Sequence, residues 1–559
     1  MSLRPTPGED RERPLRRAAA TVVLVSVVAL ASLPGSPCTN LLVAAGASAD
    51  GGTVLTYSCD GGIFAGVRIE PSQTYASETE SIIRGAPGFF ASDAPTPRVL
   101  GRIPQVESTY RYIDVLGGPG GTHIGGMNAN GLCIAETTLA GTRPELSNPR
   151  AMLAPFSVWP ERALMSLALQ RARTAREAVQ IIGTLAETYG YGSSFPIEGE
   201  QLAISDGTEV WTLEIFGPGP DWRPGSGEPG AVWCAQRVPD GHIGISANRS
   251  RIHTIDLCRP DEFLASPNVV SLAESMGWWS AGSGRPFDWA EAYAPSDCPP
   301  CSIREWRAFD LAAPSLELAP DDPIPFSVRP DHPLELRDIM DIQRDVLRGT
   351  AYDVTADPVF RMDDGISPLA SPMADPAFYE LLGLDPERTI SSRRSSFSCL
   401  YQSRPEQPFG LNGCAWFAFG PAATSCYVPI YSGVTELPSD WGWPKIADAD
   451  LSLPFWSMIL PGYLASARWA QALEDIRSVR DPAESTFLDE QGRLAALLAA
   501  WETEGEDVST RLNAYTAARL DAVHAAYQQL TSYLLVCYVA QLGGQTNVAL
   551  PTIAVPRLP

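Results

Sequence analysis

The sequence predicts an α+β fold, with helices packed on large antiparallel sheets, and two observations carry that expectation. Between Cys38 and about Ala247, four pairs of apolar, β-leaning segments flank polar turn signals. Helical periodicity interrupts that region once and returns across the last hundred or so residues. The chain of 559 residues is 45% hydrophobic and carries 14 Trp, 17 Tyr and 18 Phe, which suits a folded protein with a sizeable core.

The chain opens with a basic stretch (Arg11, Arg13, Arg16, Arg17) followed by the apolar run "AAATVVLVSVVALA" from Ala18 to Ala31. That pattern is expected to be a signal peptide over residues 1–31, with Ala29-Leu30-Ala31 as a small-x-small cleavage site. The run is short for a membrane span, which needs about 20 residues. The expected product is therefore an exported protein (periplasmic, surface-held or secreted) with no stable membrane insertion. Residues 32–37 would form a short pro-segment and residues 38–559 one domain, whose region from about 450 to 559 is helical.

The strands follow in order. "TNLLVAA" and "TVLTYSC" flank Asp50-Gly51-Gly52, and "THIGGM" and "LCIAETT" flank Asn128 to Gly131. "QLAIS" and "EVWTLEIF" flank Asp206-Gly207, and "AVWCAQRV" and "HIGISA" flank Pro239-Asp240-Gly241. Each is expected to be a hairpin. "ERALMSLALQRA" has one apolar helical face. A second helix is expected after Thr174, where Glu177 completes a capping box, Ala178, Ile181, Ile182 and Leu185 recur at helical spacing, and Gly190 stops the run. Proline-rich Ala319 to Pro333 and Asp353 to Pro376 read as connectors. Near the end, Leu520, Val523, Tyr527, Leu530 and Leu534 form a core-facing helical stripe.

A net charge of −24 repels phosphate backbones and argues against a nucleic-acid partner. The five histidines (123, 242, 253, 332, 524) are scattered, so no metal-binding cluster is visible, and no cofactor is expected. Gly117 to Gly121 lacks the lysine of a phosphate loop, and "GISAN" lacks the spacing of a nucleophile elbow. Cys298-Pro-Pro-Cys301 has no second ligand pair for zinc and reads as a local disulfide or two free thiols. Eleven cysteines leave one unpaired in an oxidising compartment; setting aside Cys38, just past the signal-type segment, leaves ten, an even number that does not by itself prove pairing.

Three roles compete for Cys38: a lipid-bearing first residue, half of a disulfide, or a nucleophile that becomes an N-terminus. Pro37 directly before it fits the lipid reading poorly, because proline fixes the backbone and lacks an amide hydrogen. If the first hairpin turns near Asp50, Leu42 faces Thr56 and Cys38 faces Asp60, whose carboxylate would hold a freed α-amino group. An α-amine titrates at about 8, low enough to serve as base for its own thiol. On the residues alone, a buried or disulfide-bonded Cys38 remains an open alternative.

The stretch "CTNLLVAAGASADGGTVLTYSCD" resembles the opening of the secreted dipeptidases of peptidase family C69, N-terminal nucleophile hydrolases related to choloylglycine hydrolases. "GGMNANGLCIAETTLAG", "LALQRARTAREAVQIIGTLAETYGY", "EVWTLEIFGPGP", "GAVWCAQRVPDGHIGISANRSRI", "RGTAYDVT", "CAWFAFGPAATSCYVPIYSGVTELP" and "YLLVCYV" extend the likeness nearly to the C-terminus. The resemblance implies a four-layer αββα sandwich and a cysteine-dependent hydrolase of dipeptides or short peptides, working through a thioester. It makes Cys38 nucleophile and base, Asp60 a partner of the nucleophile or its amine, Asn248 an oxyanion-hole donor, and Arg304 an arginine near the active site. Two positions depart from the related bile-salt enzymes: Tyr57 stands where they have an arginine, and Thr138 where they have an asparagine. A related amidase acting on a non-peptide amide, and an exported binding protein of the same fold without activity, are the alternatives.

Overall fold

The structure is a computed structural model, and it describes residues 38–61, 64–85, 97–118, 120–193, 199–296, 299–443 and 449–558. The expected signal peptide and pro-segment lie outside the described residues.

Two large sheets organise the chain. The seven-stranded sheet runs, in spatial order, Ser327–Val328, Ile243–Ser246, Asn40–Val43, Thr53–Asp60, Ser395–Ser403, Gly413–Phe419 and Val428–Tyr431. The eight-stranded sheet runs Phe263–Ala265, Val232–Arg237, Val210–Phe216, Gly199–Ser205, Cys133–Leu139, Thr122–Asn128, Tyr112–Gly117 and Ala65–Glu70. Every strand pairing within both sheets is antiparallel, as the polar turn signals predict.

The central strands of both sheets are buried along their whole length, Thr53–Asp60 and Cys133–Leu139 among them, which requires cover on each face. One face of each sheet meets the other sheet. Thr53 Oγ1 lies 2.8 Å from Ser205 Oγ, the Tyr57 hydroxyl donates to Glu136, and Thr137 pairs with Ser246. Helices Leu164–Arg171 and Ala175–Tyr189 pack on strands of the eight-stranded sheet. Helices Pro454–Ala465 and Val508–Leu534 pack on Gly413–Phe419 and Val428–Tyr431 of the seven-stranded sheet. The five residues of the expected C-terminal stripe are all buried.

The predicted cap forms: the Thr174 side chain accepts from the Glu177 amide, and Gly190 ends the helix at φ +81°. The Glu177 carboxylate reaches back to the Arg173 amide at 2.8 Å, one residue before the cap. Among the described residues, no helix is long and apolar enough to cross a membrane.

Two expectations are corrected. The fourth pair of segments is not a hairpin. Val232–Arg237 pairs with Val210–Phe216 and Phe263–Ala265, whereas Ile243–Ser246 pairs with Asn40–Val43 and Ser327–Val328. At Pro239-Asp240-Gly241 the chain therefore passes from one sheet to the other, fastened by the Gly241 amide on the Ala45 carbonyl at 2.7 Å. Both segments have other neighbours on both edges, and a turn signal cannot reveal that.

The first hairpin does form, one residue out of the predicted register. Leu42 faces Leu55, Val43 faces Val54, and Thr39 bridges Ser58. The connection is a looser loop with successive turns, Ala47 N to Ala44 O and Gly51 N to Ser48 O. Continuing that pairing by one residue sets Cys38 across from Cys59, not Asp60. A one-residue slip changes the face on which a side chain sits, so the correction alters what meets the nucleophile candidate.

Candidate active site

Cys38 is 1% exposed and sits where the two sheets meet. Its sulfur lies 3.5 Å from Glu136 Oε1, the same oxygen that accepts from the Tyr57 hydroxyl. Thr39 and Ser58 exchange both backbone hydrogen bonds, at 3.1 and 3.0 Å. The next pair along, Cys38 with Cys59, is therefore a non-hydrogen-bonded pair, the kind whose side chains approach most closely. The two sulfurs and a Glu136 oxygen all lie within 4.8 Å of one another. Among the described residues these three are the group that could hold a metal ion; the histidines take no part in it.

The hydrogen bond with Cys59 holds the Cys38 thiol well above its ordinary pKa, and burial and the charges of Glu136 and Asp60 push it further up. Burial also raises the Glu136 carboxyl, opposed by hydrogen bonds from Tyr57 and Cys38. Tyr57 supplies no positive charge, and its hydroxyl stabilises the carboxylate and not the thiolate. Glu136→Gln is expected to move the pH midpoint of iodoacetamide labelling at Cys38 downward, because a negative charge opposing thiolate formation is removed. Labelling rates followed by mass spectrometry across pH check this; an unmoved or higher midpoint contradicts it.

Arg304, on helix Pro299–Ala312, ties three distant segments together. Its Nη1 donates to the Cys38 carbonyl at 2.8 Å and to Thr39 Oγ1 at 2.7 Å. Its Nη2 donates to the Ala247 carbonyl at 2.8 Å and to Asn248 Oδ1 at 3.0 Å. Burial, then the charge of Arg388, lowers its pKa well below the usual arginine value, against the opposing pull of Asp60, Glu305 and Cys38. The next residue of the helix, Glu305, grips the same loop by accepting from Arg249 Nε at 2.8 Å and Arg251 Nη1 at 2.9 Å.

Asn248 is fixed on every side. Its Nδ2 donates to the Thr138 carbonyl at 2.9 Å, Arg304 holds its Oδ1, and the Ala140 amide donates to its carbonyl at 2.9 Å. Its φ of +74° is a left-handed conformation that asparagine tolerates better than most residues. A side-chain amide has two N–H donors, so one on Asn248 is left for another acceptor. Thr138 contributes through its backbone carbonyl.

Asp60 does not face Cys38. Its carboxylate accepts from Arg388 and from the Ser395 hydroxyl, a position set by the pairing of Ser395 with Asp60 across adjacent strands. It still belongs to the site, because Asp60, Thr138, Asn248 and Arg304 all line one cavity of about 1420 Å³. Cys38 lies one hydrogen bond behind that wall, through Arg304. Cys301, which also lines the cavity, is disulfide-bonded. Its CxxC neighbour Cys298 lies outside the described residues.

The structure thus gathers Cys38, Asn248 and Arg304 into one constellation and sets Asp60 beside it. Reading the sequence missed Glu136, Cys59 and Arg388. Glu136 had one available signal, a carboxylate inside the otherwise apolar run "LCIAETT". Nor does cysteine parity hold as a guide: Cys59, Cys133, Cys234, Cys399, Cys414 and Cys426 are buried free thiols.

The family model described as "Peptidase family C69" matches residues 37–481. Similar proteins include a probable dipeptidase of Salmonella dublin, 25% identical over 403 residues, which spans 71% of this chain and 81% of that protein. Dipeptidase A of Lactobacillus helveticus is 24% identical over 412 residues, 72% of this chain and 77% of its own. A probable dipeptidase of Latilactobacillus sakei is 21% identical over 534 residues, 90% of this chain and 98% of its own.

Proposed function

The chain belongs to peptidase family C69, and from that premise we propose that it is an exported, cysteine-dependent dipeptidase whose mature N-terminus is Cys38. The observation that carries the reading is Arg304 joining the Cys38 carbonyl to the Asn248 amide. One buried guanidinium thereby fixes a nucleophile and an amide donor that lie far apart in sequence. The two facing antiparallel sheets, each with helices packed on it, support the four-layer αββα sandwich of N-terminal nucleophile hydrolases.

In the full chain the Cys38 nitrogen is bonded to Pro37, so the base is latent until residues 1–37 are removed. The signal-type segment accounts for residues 1–31; a second cleavage then releases residues 32–37. Once free, the α-amine takes the Cys38 proton as the sulfur attacks the peptide carbonyl. A C–S bond forms, and the oxyanion accepts from the remaining Asn248 N–H. The ammonium returns its proton to the leaving nitrogen, the C–N bond breaks, and a thioester remains. Water, deprotonated by the same amine, attacks the thioester and restores the thiol. Arg304 is a positioning residue, because it orients Cys38 and Asn248 without touching the reacting atoms. The negative charge of Asp60, anchored by Arg388, favours the ammonium formed during the cycle.

A substrate panel tests the reading. Dipeptides are expected to be hydrolysed and iodoacetamide to stop the reaction. Exclusive hydrolysis of conjugated bile salts or N-acyl amines would instead make the chain a related amidase. No turnover of either class, with folding intact, would leave the binding-protein alternative.

A further inference from the structure

Four arginines line the cavity beside Cys38, and three of them are already engaged. Arg304 spans its four acceptors, and Arg388 holds Asp60. Arg393 pairs with Asp375 at 3.1 Å and lies 4.9 Å over the Tyr463 ring. Arg394 differs. Its backbone is fixed, with its amide on Ser392 Oγ at 3.1 Å and its carbonyl accepting from Gly61 at 3.1 Å. The residue is partly buried and lines the cavity, and its guanidinium has no ion-pair or hydrogen-bond partner among the described residues. Of the cavity's acidic residues, Asp60 is held by Arg388, and Glu380, Asp385 and Glu387 form no ion pair with Arg394.

A partly desolvated cation without a counterion is stabilised by an anion. Its location restricts which anion. Arg394 directly precedes strand Ser395–Ser403, which pairs with Thr53–Asp60, which in turn pairs with the strand that begins beside Cys38. Cys38 lies across from Cys59 and Arg394 lies beside Gly61, so the two residues are two strand spacings across and two residues along from each other, about 12 Å between backbones. An extended arginine side chain can span part of that gap. In a dipeptide whose scissile carbonyl sits at the Cys38 sulfur, the C-terminal carboxylate is one residue further on, about 4 Å along the chain. Resting on the dipeptidase reading, we propose that Arg394 binds the C-terminal carboxylate of the substrate, so that efficient hydrolysis requires a free carboxylate one residue beyond the scissile bond. Glu380, Asp385 and Glu387 on the same wall, without an ion pair among the described residues, suit the ammonium of a zwitterionic substrate.

The test compares a dipeptide with its C-terminal amide in the wild type, Arg394→Gln and Arg394→Lys, all in the mature full chain. The wild type is expected to favour the free acid in kcat/KM by roughly 10- to 100-fold, the yield of one charge-assisted contact. Arg394→Gln should lose that preference through a higher KM for the acid, with kcat and the amide's kinetics unchanged, and Arg394→Lys should recover part of it. An unchanged acid-to-amide ratio in a folded, active Arg394→Gln enzyme overturns the proposal while leaving dipeptidase activity standing. A wild type that turns over neither compound removes the dipeptidase reading and this proposal with it.

Discussion

Cys38→Ala is expected to lose dipeptide turnover by roughly 10⁴-fold or more, with little change in stability. The size follows from the proposed double role. One residue supplies both the attacking sulfur and, through its own amine, the base, so the substitution removes the covalent route altogether. The sulfur is deeply buried, 3.5 Å from Glu136 Oε1 and hydrogen-bonded with Cys59. Its loss leaves a void smaller than a methylene-rich side chain would, which keeps the folding cost near 1 kcal/mol or below. Steady-state kinetics and a denaturant titration on the same preparation separate the two effects. Turnover comparable to the wild type would place the nucleophile elsewhere; equal losses of activity and stability would make Cys38 a packing residue.

Arg304→Met is expected to damage both quantities at once. Methionine approximates the length of the side chain but donates nothing, so the Cys38 and Ala247 carbonyls, Thr39 Oγ1 and Asn248 Oδ1 lose a donor together. Each stranded buried acceptor costs about 1–3 kcal/mol. Partial relaxation brings the total to the order of 3–5 kcal/mol, seen as a lower denaturation midpoint. The kinetic effect is separate. Asn248 loses the partner on its Oδ1 and Cys38 the anchor on its carbonyl, so kcat should fall by roughly 10²-fold or more, as when a preorganised oxyanion site is loosened. Arg304→Lys should rescue little, since one ammonium cannot reproduce the forked, four-acceptor geometry. A variant with wild-type midpoint and kcat would show that the constellation does not need this clamp.

The residues that carry local information were the ones the sequence exposed. Thr174, Glu177 and Gly190 bound their helix because caps depend on a few neighbouring atoms. Apolar, β-leaning runs and turn residues identified the strands for the same reason. Cys38 stood out through its position after a signal-type segment, an address written in the linear chain. Asn248 and Arg304 were marked only by resemblance, since nothing in "SANRS" or "SIREW" announces that Arg304 will reach the Asn248 side chain.

What stayed hidden depends on which strands become neighbours. "AVWCAQRV" and "HIGISA" look like two arms of a hairpin, yet they join different sheets because other strands occupy both their edges. The one-residue shift in the first hairpin came from loop geometry, and it exchanged Asp60 for Cys59 across from Cys38. Glu136 met Cys38 only when the two sheets closed on each other. Arg388 and Arg394 fell just beyond a stretch read as a connector, although the cavity wall is built there.

The central claim is that a latent N-terminus becomes the catalytic group, and the N-terminal residue of the active enzyme tests it most directly. Intact-mass and N-terminal sequence measurements on purified active protein, before and after inactivation with iodoacetamide, read both features at once. The expected result is a chain that begins at Cys38 and carries a single inactivating carbamidomethyl group on that residue. A fully active protein that keeps Pro37 or any earlier residue joined to Cys38 would contradict the account, because the amine assigned as the base would still be locked in a peptide bond.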